Sequence, residues 1–270
     1  MSRIIKADMY RILRGKAFYI TCAIFVMMVF MSTIVGSDGV IGLSISSEKE
    51  NAEVERSTAE GEMSGEVLTG STMPFHAMQS TGDMIYFLLP FLVCLVAVDF
   101  SRGCIKNVLS AGVSRMKFYF AKLILHSTFC AGGLLLIVLL SMGLGTIYNG
   151  FGSSFDMGKL LQVFALQLLY LIAIGNIGIA LAFILQKTSR VNVAYLATFI
   201  LPQFVLMLIM INFPQLPDIT YMELSQGINK LVNAAQFDGS MLGKVVIVGT
   251  IYIAVSLGLG ISIFQKSEIK

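Results

Sequence analysis

Six long apolar runs constrain this chain more than any other feature. They lie near Phe18–Ser37, Met84–Val98, Phe118–Ile147, Leu160–Gln186, Val191–Phe213 and Val245–Phe264. Several exceed the ~18 residues that mark a membrane-crossing helix. A large soluble core is excluded on run length. Composition agrees, because only 13% of residues are charged, where a soluble domain carries about a quarter. The expected fold is an all-α membrane protein with six transmembrane helices, forming one domain over residues 1–270. The second run is short, bounded by Asp83 and Asp99. At ~1.5 Å per residue it barely crosses the hydrocarbon, so both carboxylates are expected in the headgroup layers.

Basic residues set the orientation. With the N-terminus inside, the inner connections and termini hold 14 of the 19 Lys and Arg residues. Only Lys49, Arg56, Lys159, Lys230 and Lys244 fall outside. This bias places both termini in the cytoplasm. The net charge of +3 therefore reflects topology and is no argument for a nucleic-acid partner. The first run is too long for a signal-peptide core and lacks a small-residue cleavage site, so it reads as a retained span. Cys22, Cys94, Cys104 and Cys130 lie in spans or on the inner side, and their spacing implies no disulfide framework.

The connections differ in character. In residues 1–17, Ile5, Met9, Ile12 and Leu13 recur at helical spacing among Arg3, Lys6, Arg11 and Arg14. This predicts a basic amphipathic helix in the inner interface. The outer loop 38–83 is acidic and rich in Ser and Gly. It is either a surface that attracts cationic peptides or a solvated loop whose charge follows from topology. In the outer segment 214–243, Thr220 and Glu223 have capping-box spacing, followed by Tyr221, Leu224, Ile228, Leu231 and Val232 at helical spacing. That predicts a second amphipathic helix, on or in the outer leaflet. No internal repeat is visible.

The inner connection "DFSRGCIKNVLSAGVSRMKFYFAKL", Asp99–Leu123, is more organised than a loop needs to be. Ser101 is placed to cap a short helix, Gly112 to end it, and Ser114 to cap the next. Ile105, Val108 and Leu109 form one apolar face beside Arg102 and Lys106. Such a helix either lies on headgroups or presents a knob to a cytoplasmic partner. Together with "KADMYRILRGKAFYI" at Lys6–Ile20, this segment resembles the permease subunits of type-2 ATP-binding-cassette exporters. It is most similar to the small bacterial members linked to bacteriocin, lantibiotic or peptide-antibiotic export and immunity. The resemblance implies a multi-pass protein of the bacterial plasma membrane. It makes 99–117 a coupling segment that docks in a groove of an ATP-binding-cassette ATPase, with Ser101, Arg102, Ile105, Lys106, Val108, Leu109 and Arg115 as contacts. It also implies a second permease, alike or a sister chain, and contact with membrane lipid.

The chain lacks an engine. "GSMLGKV", Gly239–Val245, fails the P-loop spacing and has no Ser or Thr after Lys244. No cofactor is expected on this chain; ATP and magnesium would belong to the partner ATPase. The span interiors are nearly free of ionisable residues, which argues against proton coupling. His126 beside Ser127 lacks the third group and oxyanion hole of a hydrolase, and no metal-ligand spacing occurs. No enzyme activity is expected. Gln203 and Asn212 in the fifth run are candidates for a translocation path, although interhelical hydrogen bonding is the simpler role for them. The expected function is the membrane subunit of an ATP-driven exporter of amphipathic or antimicrobial peptides, or of lipid-like compounds. The alternatives are a non-transporting scaffold or sensor that docks a cytoplasmic partner, and a channel.

Overall fold

The computed structural model describes residues 2–38, 69–101, 103–152, 155–212, 223–232 and 239–266. The acidic stretch 39–68, the expected contact Arg102, and segments 213–222 and 233–238 lie outside the described residues. Among the described residues all regular structure is helical. This is the outcome hydrocarbon requires, since a helix satisfies its own backbone hydrogen bonds where no water can.

Helix α1 (Ser2–Leu13) precedes the first span, α2 (Lys16–Asp38). Their axes differ by 69° across the Arg14–Gly15 elbow. A short outer helix, α3 (Met73–Met78), leads into a composite second span. That span begins with a 3₁₀ turn (Thr81–Asp83), continues as α4 (Met84–Leu92) and a π-helical turn (Val93–Ala97), and ends as α5 (Val98–Ser101). Then follow α6 (Cys104–Ser110), α7 (Arg115–Asn149), α8 (Met157–Leu185), α9 (Thr188–Asn212), α10 (Leu224–Lys230) and α11 (Gly239–Lys266). Five helical stretches are long and apolar enough to cross a membrane, and the bent pair α1–α2 makes a sixth. The second span is longer than its apolar run, covering Thr81–Phe100. Pro90 deprives it of one backbone donor, and the wide turn follows at Val93. Proline and π-turns are the usual breaks in a long helix.

Helix α8 is the most buried span and packs along α7 and α11, whereas α9 and α11 leave most of their surface outward. Outward apolar side chains are what a lipid-facing helix should carry. Small residues permit the close approaches within the bundle. A Cβ on Gly175 of α8 would stand 1.6 Å from Nε2 of His126, and one on Gly178 would stand 2.3 Å from Leu92. Gly260 of α11 similarly admits the Tyr119 hydroxyl. By contrast, Gly132, Gly143 and Gly258 face open space, so only some of the span glycines act in packing.

The two ends of the bundle are built differently. At one end α1, the α5–α6 connection, the start of α7 and the end of α11 meet. The other gathers α3, α10 and the α7–α8 loop, with Gly70 and Ser71 donating to the carbonyls of Gly150 and Phe151. This sorting matches the orientation read from the basic residues. By that reading the first end is the cytoplasmic one and the second the outer one.

At the outer end α10 is drawn into the bundle. Its N-cap is Glu223, which accepts from the backbone N–H groups of Ser225 and Gln226. The expected cap, Thr220, lies outside the described residues. Leu224 and Ile228 are buried, and the Ile228 carbonyl accepts from Gln167 Nε2 at 3.1 Å. Gln167 lies ~15 Å along α8 from its first residue. The same amide donates to the Met78 carbonyl at 2.9 Å and accepts from Thr81 at 3.1 Å. One buried side chain thus ties α3, the second span and α10 to α8.

Candidate functional site

The cytoplasmic end carries the densest arrangement of charge among the described residues. Lys122 of α7 is fully buried, and its Nζ donates at 2.6 Å to both Asp8 of α1 and Asp99 of α5. Arg11 of α1 pairs with Asp99, lies 3.1 Å from Asp8, and donates to the carbonyls of Cys94 and Leu95 at 3.2 and 3.3 Å. Two carboxylates and two cations cancel in formal charge. Burial works against the Arg11 charge, but the hydrogen bond and charge of Asp99, with Asp8 behind it, outweigh that and raise its pKa. Buried charges persist only when paired and hydrogen-bonded, and here each is held by at least two partners. The carbonyls of Cys94 and Leu95 belong to the π-helical turn, where a widened ladder leaves room for a side-chain donor.

This cluster gives Asp99, at the end of the second span, partners within the protein. The carboxylate is 4% exposed and withdrawn into ion pairs, while Asp83 at the other end of the span is exposed. Arg11, expected on an interface helix, is drawn inward together with Asp8. Asp8 is the one acidic residue before Asp38, and it shares a face with Ile5 and Ile12 at i, i+3 and i+7. Ile12 is buried, whereas Met9 and Leu13 of the expected apolar stripe are about 40% exposed. The face of α1 turned to the protein is therefore Ile5–Asp8–Ile12.

Segment 99–117 hangs from this cluster. After Ser101 the chain turns at Gly103, whose φ of 66° is left-handed, and Gly103 precedes α6. Gly103, without a capping side chain, occupies the N-cap position expected of Ser101. Gly112, with φ of 81°, reverses the chain after α6. Glycine suits both turns because a Cβ is strained there. Ser114 Oγ then caps α7 by accepting from the Lys117 N–H at 3.4 Å.

The faces of α6 differ from the expected docking set. Ile105 is 1% exposed and belongs to the core, so it cannot touch a partner while α6 is seated. Val108 and Leu109 are half-buried and pack against the same core. Lys106, Asn107 and Ser110 form the exposed face. The apolar face expected to meet a partner instead seats the helix on its own bundle, because a seven-residue helix needs packing to persist. Arg115 is also turned inward. Its Nη1 donates to the carbonyls of Phe264 and Gln265 at 2.9 and 2.8 Å, and its guanidinium stands 5.8 Å from the Phe264 ring. It thus caps the C-terminal end of α11, where a cation also meets the negative end of the helix dipole.

Phe100, Phe118, Tyr119, Phe183 and Phe264 pack ring against ring, joining α5, α7, α8 and α11. Edge-to-face pairs of this kind add ~0.5–1.5 kcal/mol each beyond the area they bury. Phe100 carries segment 99–117 into this aromatic group. The segment is tied to α1 and α7 through Asp99, and to α11 through Arg115.

The candidate path residues are not brought together. Gln203 Nε2 donates to Ser225 Oγ of α10 at 2.5 Å, and Asn212 Nδ2 donates to its own helix at the Leu208 carbonyl, 2.7 Å away. Gln203 serves the seating of α10.

No curated protein matches the chain. A family model described as ABC-2 family transporter protein matches residues 2–269. A chain matched over that length, helical throughout its described residues and sorted into a basic inner end and an outer end, belongs to the ABC-2 transporter family, as a multi-pass plasma-membrane subunit of an ATP-binding-cassette transporter.

Proposed function

We propose that this subunit exports amphipathic or antimicrobial peptides, driven by a separately encoded ATPase that docks on α6. The observation that carries the proposal is the construction of α6. It is a short helix seated on its apolar face, with Lys106, Asn107 and Ser110 exposed. A polar, exposed face on a seated helix suits a docking rim, where charge sets specificity. A second permease completes the transporter, and opening and closing of the ATPase pair moves each α6 with the spans attached to it. The mostly apolar outward surfaces of α9 and α11 agree with a cargo drawn from the membrane.

The test is an affinity pull-down from native membranes, comparing the parent with Lys106→Glu/Ser110→Glu. These exposed changes leave the seat of α6 intact. An ATP-binding-cassette ATPase that co-purifies with the parent and is lost with the variant supports the reading. A parent that brings down no such ATPase overturns it, as does peptide uptake into inverted vesicles that persists with a non-hydrolysable ATP analogue.

A further inference from the structure

A groove of about 530 Å³ runs between α1, α2, the second span and α7. This volume lies within the range of small-molecule sites. Its walls are apolar, led by Phe18 and Phe25 of α2, Phe87 and Phe91 of α4, and Phe129 of α7. Lining residues of the second span extend from Met84 to Val98, ~21 Å at helical rise. That is a large part of the ~30 Å hydrocarbon thickness. The groove opens sideways between α2 and α7, where Cys22, Thr128 and Gly132 are exposed and a Cβ on Gly132 would meet nothing within 4 Å. Its inner mouth is formed by Met9, Arg11, Ile12 and Gly15. Arg11 is committed to Asp99 and Asp8, while Arg14, whose Nη1 also donates to the Tyr10 hydroxyl at 2.5 Å, and Lys16, on either side of Gly15, are exposed.

We infer that this groove is a binding site for one inner-leaflet anionic phospholipid. One acyl chain lies along the phenylalanine wall and the phosphate-bearing headgroup sits at Arg14 and Lys16. The argument rests on shape and charge together. The groove is long, narrow and apolar, and it opens to the bilayer rather than to water. Two cations flank only its cytoplasmic mouth, where an anionic headgroup would sit and where anionic lipid is attracted to basic segments. A cationic peptide would meet repulsion at that mouth. The bound lipid would bridge the elbow between α1 and α2, and so bear on the helix that holds Asp8 and Arg11. This goes beyond the exporter reading and stands independently of it.

The test uses the full-length protein in phosphatidylcholine vesicles. Trace phosphatidylglycerol carries a mid-chain diazirine, and labelled peptides are mapped by mass spectrometry. Gly132→Phe puts a ring into the groove from a position where a Cβ meets nothing within 4 Å. Gly143→Phe, on the same helix and equally open but away from the groove, controls for folding and surface change. The expected result is labelling of Phe18–Val26 and Thr128–Leu136 that is unchanged by Gly143→Phe and about tenfold lower in Gly132→Phe. Phosphatidylcholine with the same photoreactive chain should label the parent less. Arg14→Gln/Lys16→Gln should bring phosphatidylglycerol down to that level. Equal labelling of the Gly132→Phe and Gly143→Phe proteins overturns the site in favour of ordinary annular lipid. Equal labelling of the parent by the two lipids overturns the anionic headgroup. Displacement of the label by an equimolar cationic amphipathic peptide overturns the lipid in favour of a cargo site.

Discussion

Replacing Lys122 with methionine should unseat α1 and loosen the coupling segment together. Lys122 Nζ stands 2.6 Å from both Asp8 and Asp99. At an effective dielectric of ~20 each contact is worth ~6 kcal/mol of Coulomb attraction. Burying an ammonium and two carboxylates costs several kcal/mol per ion, which offsets most of that gain. The variant removes the attraction and leaves the carboxylates buried, with Arg11 their one remaining cation in the cluster. Breaking a buried pair in this way costs ~3–5 kcal/mol. Unfolding in mixed detergent micelles should show that loss, and hydrogen exchange should rise in Ile4–Leu13 and Cys104–Ser110. Lys122→Met/Asp8→Asn leaves one carboxylate and one cation, Asp99 with Arg11, and should recover a large part of the loss. If Lys122→Met changes stability by less than ~1 kcal/mol, the pairs act as exposed ones and the argument from burial is wrong. If the double variant is worse by the sum of the single effects, the charge-balance reasoning is wrong.

Two further outcomes follow from the packing. Gly175→Ala places a methyl 1.6 Å from His126 Nε2 and should cost ~1–3 kcal/mol through overpacking, whereas Gly143→Ala should be nearly neutral; paired thermal melts read the difference. Gln167→Leu strands the carbonyls of Met78 and Ile228 and should cost ~1–3 kcal/mol. A cysteine placed at Ile228 should then become reactive to a membrane-impermeant maleimide from the outer side. A parent-like lack of reaction would mean that α10 is seated by its apolar contacts alone.

The membrane class and a count of about six spans were legible in the amino-acid sequence; the basic residues add an expected direction of the chain. They depend on run length and on where Lys and Arg fall, and both are local. The short helix after the second span was legible too, because Gly112 ends it and Ser114 starts the next, although its start lies at Gly103 rather than at Ser101. The facing of that helix was not. Ile105, Val108 and Leu109 form an apolar stripe whether it meets a partner or its own bundle, and periodicity alone does not distinguish the two. Arg115 likewise gives the same signal as a docking cation or as a cap on a helix 149 residues away.

The charge cluster marks the limit most clearly. Asp8, Arg11, Asp99 and Lys122 come from three helices, and each taken singly looks like a flank of a span. Only the tertiary structure brings them within hydrogen-bonding distance, because the 69° elbow folds α1 back over the start of α7. Pairing over 114 residues is decided by packing, and the sequence carries no local record of it. The sequence by itself therefore determined that the chain crosses the membrane. The tertiary structure decided what holds the inner end together. Partition into a bilayer sums over residues one at a time, whereas a buried ion pair depends on where two of them meet.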